Sequence, residues 1–163
     1  MPLHPTSRFE NVVASLGAAV RAALDASGGG AWAVHYPGDG FDPGGIAEWF
    51  EMRAEPGPSR FHRQVAPGLL GATETVVLRL DAKVRCDGTT DAHRVWEMAD
   101  AAAEAFPIGR AVAFKDYAGS APPYDDLGSL KVVALDRSDR GEAEGIAVAR
   151  SEVRLQYLRS FAP

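Results

Sequence analysis

Residues 74–86 read Glu-Thr-Val-Val-Leu-Arg-Leu-Asp-Ala-Lys-Val-Arg-Cys. Val76, Leu78, Leu80, Ala82, Val84 and Cys86 fall on one side of this stretch, and Arg79, Asp81, Lys83 and Arg85 on the other. A period of two over such a length predicts a strand with one face in a core and the other in water or against a charged partner. Slipping by one residue would bury the charged row, so the register is strongly determined. Asp87-Gly88 begins a turn, and Thr90 or Asp91 is placed to cap a helix over residues 91–106. Val95, Met98, Ala99, Ala102 and Phe106 form its buried stripe, and Pro107-Ile108-Gly109 ends it.

Upstream, Ser7-Arg8-Phe9-Glu10 has the form of a capping box. Phe9, Val13, Leu16, Val20 and Leu24 then recur at helical spacing, which predicts one apolar helix face that Gly28-Gly29-Gly30 stops. Residues 32–36 read as a short strand, and 37–45 are built almost wholly of turn formers. Residues 46–54 read as a second strand with Trp49, Phe50 and Met52. Its imperfect alternation points to a bulge or to an apolar residue offered to a partner. Residues 55–73 carry Pro56, Pro58 and Pro67 and keep no regular period, so a loop is expected there, and with it a place for contacts.

Downstream, 112–117 is expected as a strand, completing a strand–helix–strand unit whose crossover is right-handed if the two strands pair in parallel. Residues 130–136 and 146–158 are further strands. Ile146 and Val148 are out of phase with Val153, Leu155 and Tyr157, so a bulge is expected near Arg150 and Ser151. The fold class that follows is α+β: a mixed, mostly antiparallel sheet of about five or six strands with two principal helices packed on one face. All 163 residues are read as one domain, with a flexible loop about 55–73.

Chemistry is sparse. The net charge is −5, from 17 Lys and Arg against 22 Asp and Glu, which argues against binding by phosphate neutralisation along the surface. Cys86 stands alone, at the end of an apolar row where a small hydrophobe fits, so no intrachain disulfide or thiolate cluster is available. His4, His35, His62 and His93 are scattered, without the spacing of a metal site. Asp39, Asp42, Asp87 and Asp91 sit among glycines as turn formers and lack the further ligands of a calcium loop. Asp91 with His93 could be drawn as an acid–base pair, but a capping role explains Asp91. The 38–45 loop leads to a strand rather than a helix N-terminus, so it offers phosphate no cradle. The reading is therefore of a protein with no enzyme activity, catalytic residue, cofactor or metal, and no signal peptide or membrane span is apparent. Arg60-Phe61-His62-Arg63 combines basic and aromatic side chains, as contacts to bases or to a protein partner do. A rival reading is a small-molecule-binding or hydrolytic domain with a pocket lined by Trp32, Trp49 and Tyr157.

The order of these parts carries a resemblance. A helix over 7–26 is followed by two short strands with Trp32 and Trp49 and a long loop rich in Pro, Gly and Arg. Then come Gly71-Ala72-Thr73-Glu74, the alternating strand, and Asp87-Gly88-Thr89-Thr90-Asp91 leading into an alanine-rich helix ending Ala105-Phe106-Pro107. From about Arg8 to Tyr157 this layout resembles the tail terminator proteins of long-tailed bacteriophages, whose neck and tail-completion neighbours share similar layouts. The resemblance implies a virion subunit, assembled in the host cytoplasm, that forms a ring, usually a hexamer, at the head-proximal end of the tail. Such a ring stops polymerisation of the tail tube protein, presents a surface to head–tail connector proteins, and lets DNA pass its lumen without sequence-specific binding. A closed ring needs two different complementary patches on each subunit. Arg79, Asp81, Lys83 and Arg85 are expected to supply one, and the loop with Arg60, Phe61 and Arg63 the other.

Overall fold

A computed structural model describes residues 4–27, 32–58, 60–66, 69–86 and 93–161. Two helices, α1 (Phe9–Ala26) and α2 (Arg94–Ala105), accompany seven strands: β1 (Ala33–His35), β2 (Glu48–Pro56), β3 (Arg60–Ala66), β4 (Leu69–Arg85), β5 (Ala111–Lys115), β6 (Asp126–Ala143) and β7 (Ile146–Phe161). This is an α+β fold with a mixed sheet in the order β1-β2-β4-β7-β6-β5, and β3 pairs with β4 off that path. Among the described residues only β1 and β2 run parallel, and every other pairing is antiparallel.

The alternating stretch behaves as its period requires. Val76, Leu78, Leu80, Ala82 and Val84 are buried together with Phe50 and Met52 of β2, Val153 and Leu155 of β7, and Leu130 and Val132 of β6. The same core holds Val12, Leu16, Val20 and Leu24 of α1 and Val95, Met98, Ala99 and Ala102 of α2. Each such aliphatic side chain contributes roughly 1.5–3 kcal/mol on leaving water, so this one surface supplies most of the driving force for folding.

Several expectations are corrected. The stretch 55–73 is not a loop: β2 runs to Pro56, β3 follows, and β4 begins at Leu69. Its prolines hid the strands, because Pro56 and Pro58 sit where β2 gives way to β3, at the margin of the ladder where a missing N–H costs little. No bulge occurs at Arg150 and Ser151, since β7 pairs with β4 without a shift from Ile146 to Phe161. Its buried row is continuous, but it begins with small residues, Ala147, Ala149 and Ser151, and the Ser151 hydroxyl donates to the Ala99 carbonyl of α2. Small side chains there leave room for the helix, and they weakened the hydrophobic signal. Nor is β2 bulged: Trp49, on the side opposite Phe50, is 3% exposed because Arg85 lies over its ring, 5.9 Å from the centroid.

The helix starts differ too. Ser7 belongs to a short 3-10 turn, Pro5–Ser7, and its hydroxyl donates to the Ser160 carbonyl instead of capping α1, whose N-cap Arg8 makes no side-chain cap bond. The buried stripe of α1 is rotated by one residue towards Asn11, Val12 and Ser15, leaving Phe9 and Val13 half-buried. Thr90 and Asp91 lie outside the described residues; α2 begins after His93 and is fastened to β2, where Glu48 accepts from Arg94 Nε and Trp32 Nε1, both at 2.9 Å. β4 and β5 do not pair: α2 carries the chain past β7 and β6 to the far edge, where β5 runs antiparallel to β6. β6 is far longer than 130–136, and its distal half is exposed and charged, without the apolar alternation that marks a strand in sequence. Glu144 and Gly145 both have positive φ, the geometry of a two-residue hairpin turn, and so set the β6–β7 register.

Leu78 and Leu158 test this assignment of faces. Leu78→Ala should lower unfolding free energy by about 2–5 kcal/mol, whereas Leu158→Ala, on the outer side at 43% exposure, should change it by less than about 0.5 kcal/mol. Urea denaturation of both variants measures the contrast.

Candidate functional site

The face of the sheet turned away from the apolar core carries the charged row of β4, and register places its partners. Arg53, Arg79, Glu152 and Asp136 lie side by side across β2, β4, β7 and β6, and Glu51, Asp81, Arg150 and Ser138 form the next row. Arg79 bridges Glu55 at 2.6 Å and Glu152 at 3.2 Å. Asp81 takes Arg150 through both carboxylate oxygens, at 2.6 and 2.8 Å. Glu51 joins Lys83 to Arg53, and Arg154 reaches Asp136 and Glu152. Arg85 donates to the carbonyls of Pro43 at 3.2 Å and Ile46 while covering Trp49.

Arg79, Asp81, Lys83 and Arg85 are thus brought together, and each is engaged within the chain. Arg53, Arg79, Lys83, Arg150 and Arg154 each pair with one or more of Glu51, Glu55, Asp81, Asp136 and Glu152, while Arg85 is held by backbone carbonyls and Trp49. Phosphate binding by counterion release draws on cations that are not already paired. Exposed pairs of this kind each contribute about 0–1 kcal/mol, and the two-pronged Asp81–Arg150 pair is the strongest by geometry. Arg60, Phe61 and Arg63 are elsewhere: β3 pairs with the 69–73 end of β4, and Arg63 falls in a register shift between His62 and Gln64.

Electrostatics follow from these contacts. Burial pushes the Glu51 carboxyl up, but hydrogen bonds from Lys83 and Arg53 outweigh it and hold its pKa below the ordinary value. Glu48 is also raised by burial and lowered further by Arg94 and Trp32, with the same net direction. Burial, reinforced by Glu74, pushes Tyr157 up to about 12.

A second polar cluster escaped the sequence reading. Asn11, fully buried, donates to Asp116 Oδ1 at 2.8 Å and to the Pro5 carbonyl at 3.0 Å, and its own oxygen accepts from Ala118 N–H at 2.9 Å. Asp116 also accepts from Gly119 N–H at 2.8 Å, and Ser15 Oγ accepts from Lys115 N–H at 3.1 Å. Gly119 is required by this approach: a Cβ there would lie 2.5 Å from Asp116 Oδ2 and 2.8 Å from Arg8 Nη1. Nearby, Thr6 Oγ1 and the backbone of Ser160 bond each other reciprocally. Among the described residues no buried side-chain nitrogen or oxygen lacks a partner, so this cluster joins α1 to the 116–125 loop as structure. Polar residues within an apolar helix pattern, Asn11 and Ser15, were the available signal.

The aromatic residues do not converge. Trp32 packs edge-on against Phe50 and Tyr157 against Phe114 inside the core, while Trp49 is on the opposite face, so the three line no common pocket. An open apolar groove of about 610 Å³ runs along the outside of α1, lined by Phe9, Val13, Gly17 and Tyr36 among others. Asp39 and Asp42 accept from the Tyr36 and Gly44 N–H groups as turn formers do, and His35 stacks on Phe41 and contacts Asp39 at 3.3 Å. Cys86 is half-buried, and Asp87 and Asp91 lie outside the described residues. Among the described residues no three His, Cys, Asp or Glu side chains gather as metal ligands, and no helix is long and apolar enough to cross a membrane. In comparison with known proteins, no family model and no curated protein matches the chain.

Two measurements probe these clusters. Asn11→Ala leaves Asp116 and the Ala118 N–H short of partners and should cost about 1–3 kcal/mol in thermal or urea unfolding. Carboxyls whose pKa is lower folded than unfolded stabilise above the unfolded value, about 4.3, and lose that contribution as pH falls through the folded value. The urea midpoint should therefore hold from pH 7 to about 5 and drop below about 4.5, and the Glu48→Gln, Glu51→Gln double variant should show a smaller drop.

Proposed function

We propose that this chain is a ring-forming structural subunit of the tail terminator kind, a virion protein rather than an enzyme. In this role it closes the head-proximal end of a phage tail tube and joins it to the head connector. The observation that carries the reading is that, among the described residues, β2 beyond its pairing with β1 and β6 beyond its pairing with β5 leave two different stretches of backbone edge without a ladder partner, and a closed head-to-tail assembly needs two different surfaces of this kind. The element order supports it as well: a first helix, short strands, a long alternating strand and a second helix follow one another as in the resemblance drawn from sequence. Both helices are taken to lie on the same face of the sheet, a placement supported by their shared core with the even-numbered residues of β4. The other face would then be available to neighbours in the ring. The pairing of most of its cations, with the net charge of −5, suits a particle whose lumen DNA crosses without being held.

Light scattering and negative-stain imaging of the purified chain over a range of concentrations test this. Concentration-dependent rings, and tubes of tail protein that stop growing when the rings are added, are the expected results. A strict monomer both alone and with tail tubes would overturn the reading.

A further inference from the structure

The two free edges can be described atom by atom from the ladders beside them. Arg85 N–H donates to the Ala47 carbonyl at 2.8 Å and Gly57 N–H to the Thr75 carbonyl at 2.6 Å. Residues of an antiparallel strand alternate in the direction of their N–H and C=O groups, so odd-numbered residues of β2 bond β4. Met52, Ala54 and Pro56 consequently direct theirs away from the sheet. β1 covers β2 only at Trp49, Phe50 and Glu51, which leaves 52–56 open.

At the opposite edge, Cys86 N–H donates to the Gly145 carbonyl at 2.7 Å, so odd-numbered residues of β7 bond β4 and even-numbered ones bond β6. Ala134 and Asp136, opposite Arg154 and Glu152, then bond β7, and Leu135 and Arg137 direct their groups outward. β5 pairs with β6 as far as Lys131, Val132 is taken by Gly109 and Arg110, and the register shift between Val132 and Ala134 makes Val133 a bulge residue, so the regular opening begins at Ala134.

Resting on the ring reading above, we infer that residues 134–137 of one copy pair antiparallel with residues 52–55 of the next. Leu135 then faces Ala54 and Arg137 faces Met52. Between the hydrogen-bonded pairs Asp136 meets Arg53. Those two side chains end the same cross-strand row on the outer face, carry opposite charge, and are 64% and 62% exposed. Opposite charges directly across a ladder attract, and in a non-hydrogen-bonded pair the side chains approach most closely. The open segments agree in hydrogen-bond phase, direction and charge, so the partner that fits each edge is the other edge of a second copy. Beyond Arg137, the ladder of β6 is interrupted by the register shift between Asp139 and Glu142. Charges on Arg137 and Asp139 keep this edge from pairing indiscriminately.

Arg53→Cys with Asp136→Cys in a Cys86→Ser background tests the register, because the predicted Cα separation of about 4.5 Å is within disulfide range. Mild oxidation of the full chain should give covalent oligomers up to the ring size. Arg53→Glu or Asp136→Arg alone should raise the assembly concentration about tenfold, and the two together should restore it. Unchanged thermal unfolding of the diluted chain confirms that each variant folds. Rings that form without cross-links and ignore the charge reversals would overturn this register and leave the ring reading standing. A chain that stays monomeric in every arm would remove both.

Discussion

Strand β4 is bonded along most of its length on both sides, by β2 and β3 on one and by β7 on the other. Its alternation binds the rest of the molecule to one arrangement. Once Val76, Leu78, Leu80, Ala82 and Val84 face the core, Arg79, Asp81, Lys83 and Arg85 must face the other way. Every neighbouring strand inherits that division through its register. Phe50 and Met52 are inward because they oppose Ala82 and Leu80; Glu51 and Arg53 are outward because they oppose Asp81 and Arg79.

The outer face shows how a sheet can be covered without a second apolar layer. Arg85 shields Trp49, and carboxylates separate the remaining cations, so that charge repulsion between Arg53 and Arg79 is relieved through Glu51, Glu55 and Glu152. Individually these contacts are weak in water. Collectively they determine how the side chains lie, and a surface ordered in this way loses less rotamer entropy when another surface meets it.

Legibility in the sequence followed the physics of each element. The β4 pattern was plain because a strand with one wet face must alternate, and α2 was plain because its stripe is apolar at helical spacing. The distal half of β6 was not, since both of its faces are wet and Asp136, Arg137, Ser138 and Asp139 carry no period. β3 was hidden by the prolines around it. Ser7 had the chemistry of a cap, but a bond to Ser160 claimed it, a partner no local window can contain. Of the candidate site, the charged row was legible and its partners were not. Asp81 meets Arg150 only because β7 inserts beside β4, and Asn11 meets Asp116 only because the loop after β5 returns to α1.

That insertion of β7 also sets a schedule. The strand lies in the middle of the sheet, between β4 and β6, yet follows both in the chain. During synthesis β4, α2 and β6 therefore emerge with their central partner still missing, and the Thr6–Ser160 bonds wait for the same segment. Contacts so distant in sequence are slow to form, and they leave one backbone edge of β4 unpaired until β7 is made. A nascent chain halted before residue 146 would thus expose the edge of β4 that β7 takes in the folded sheet.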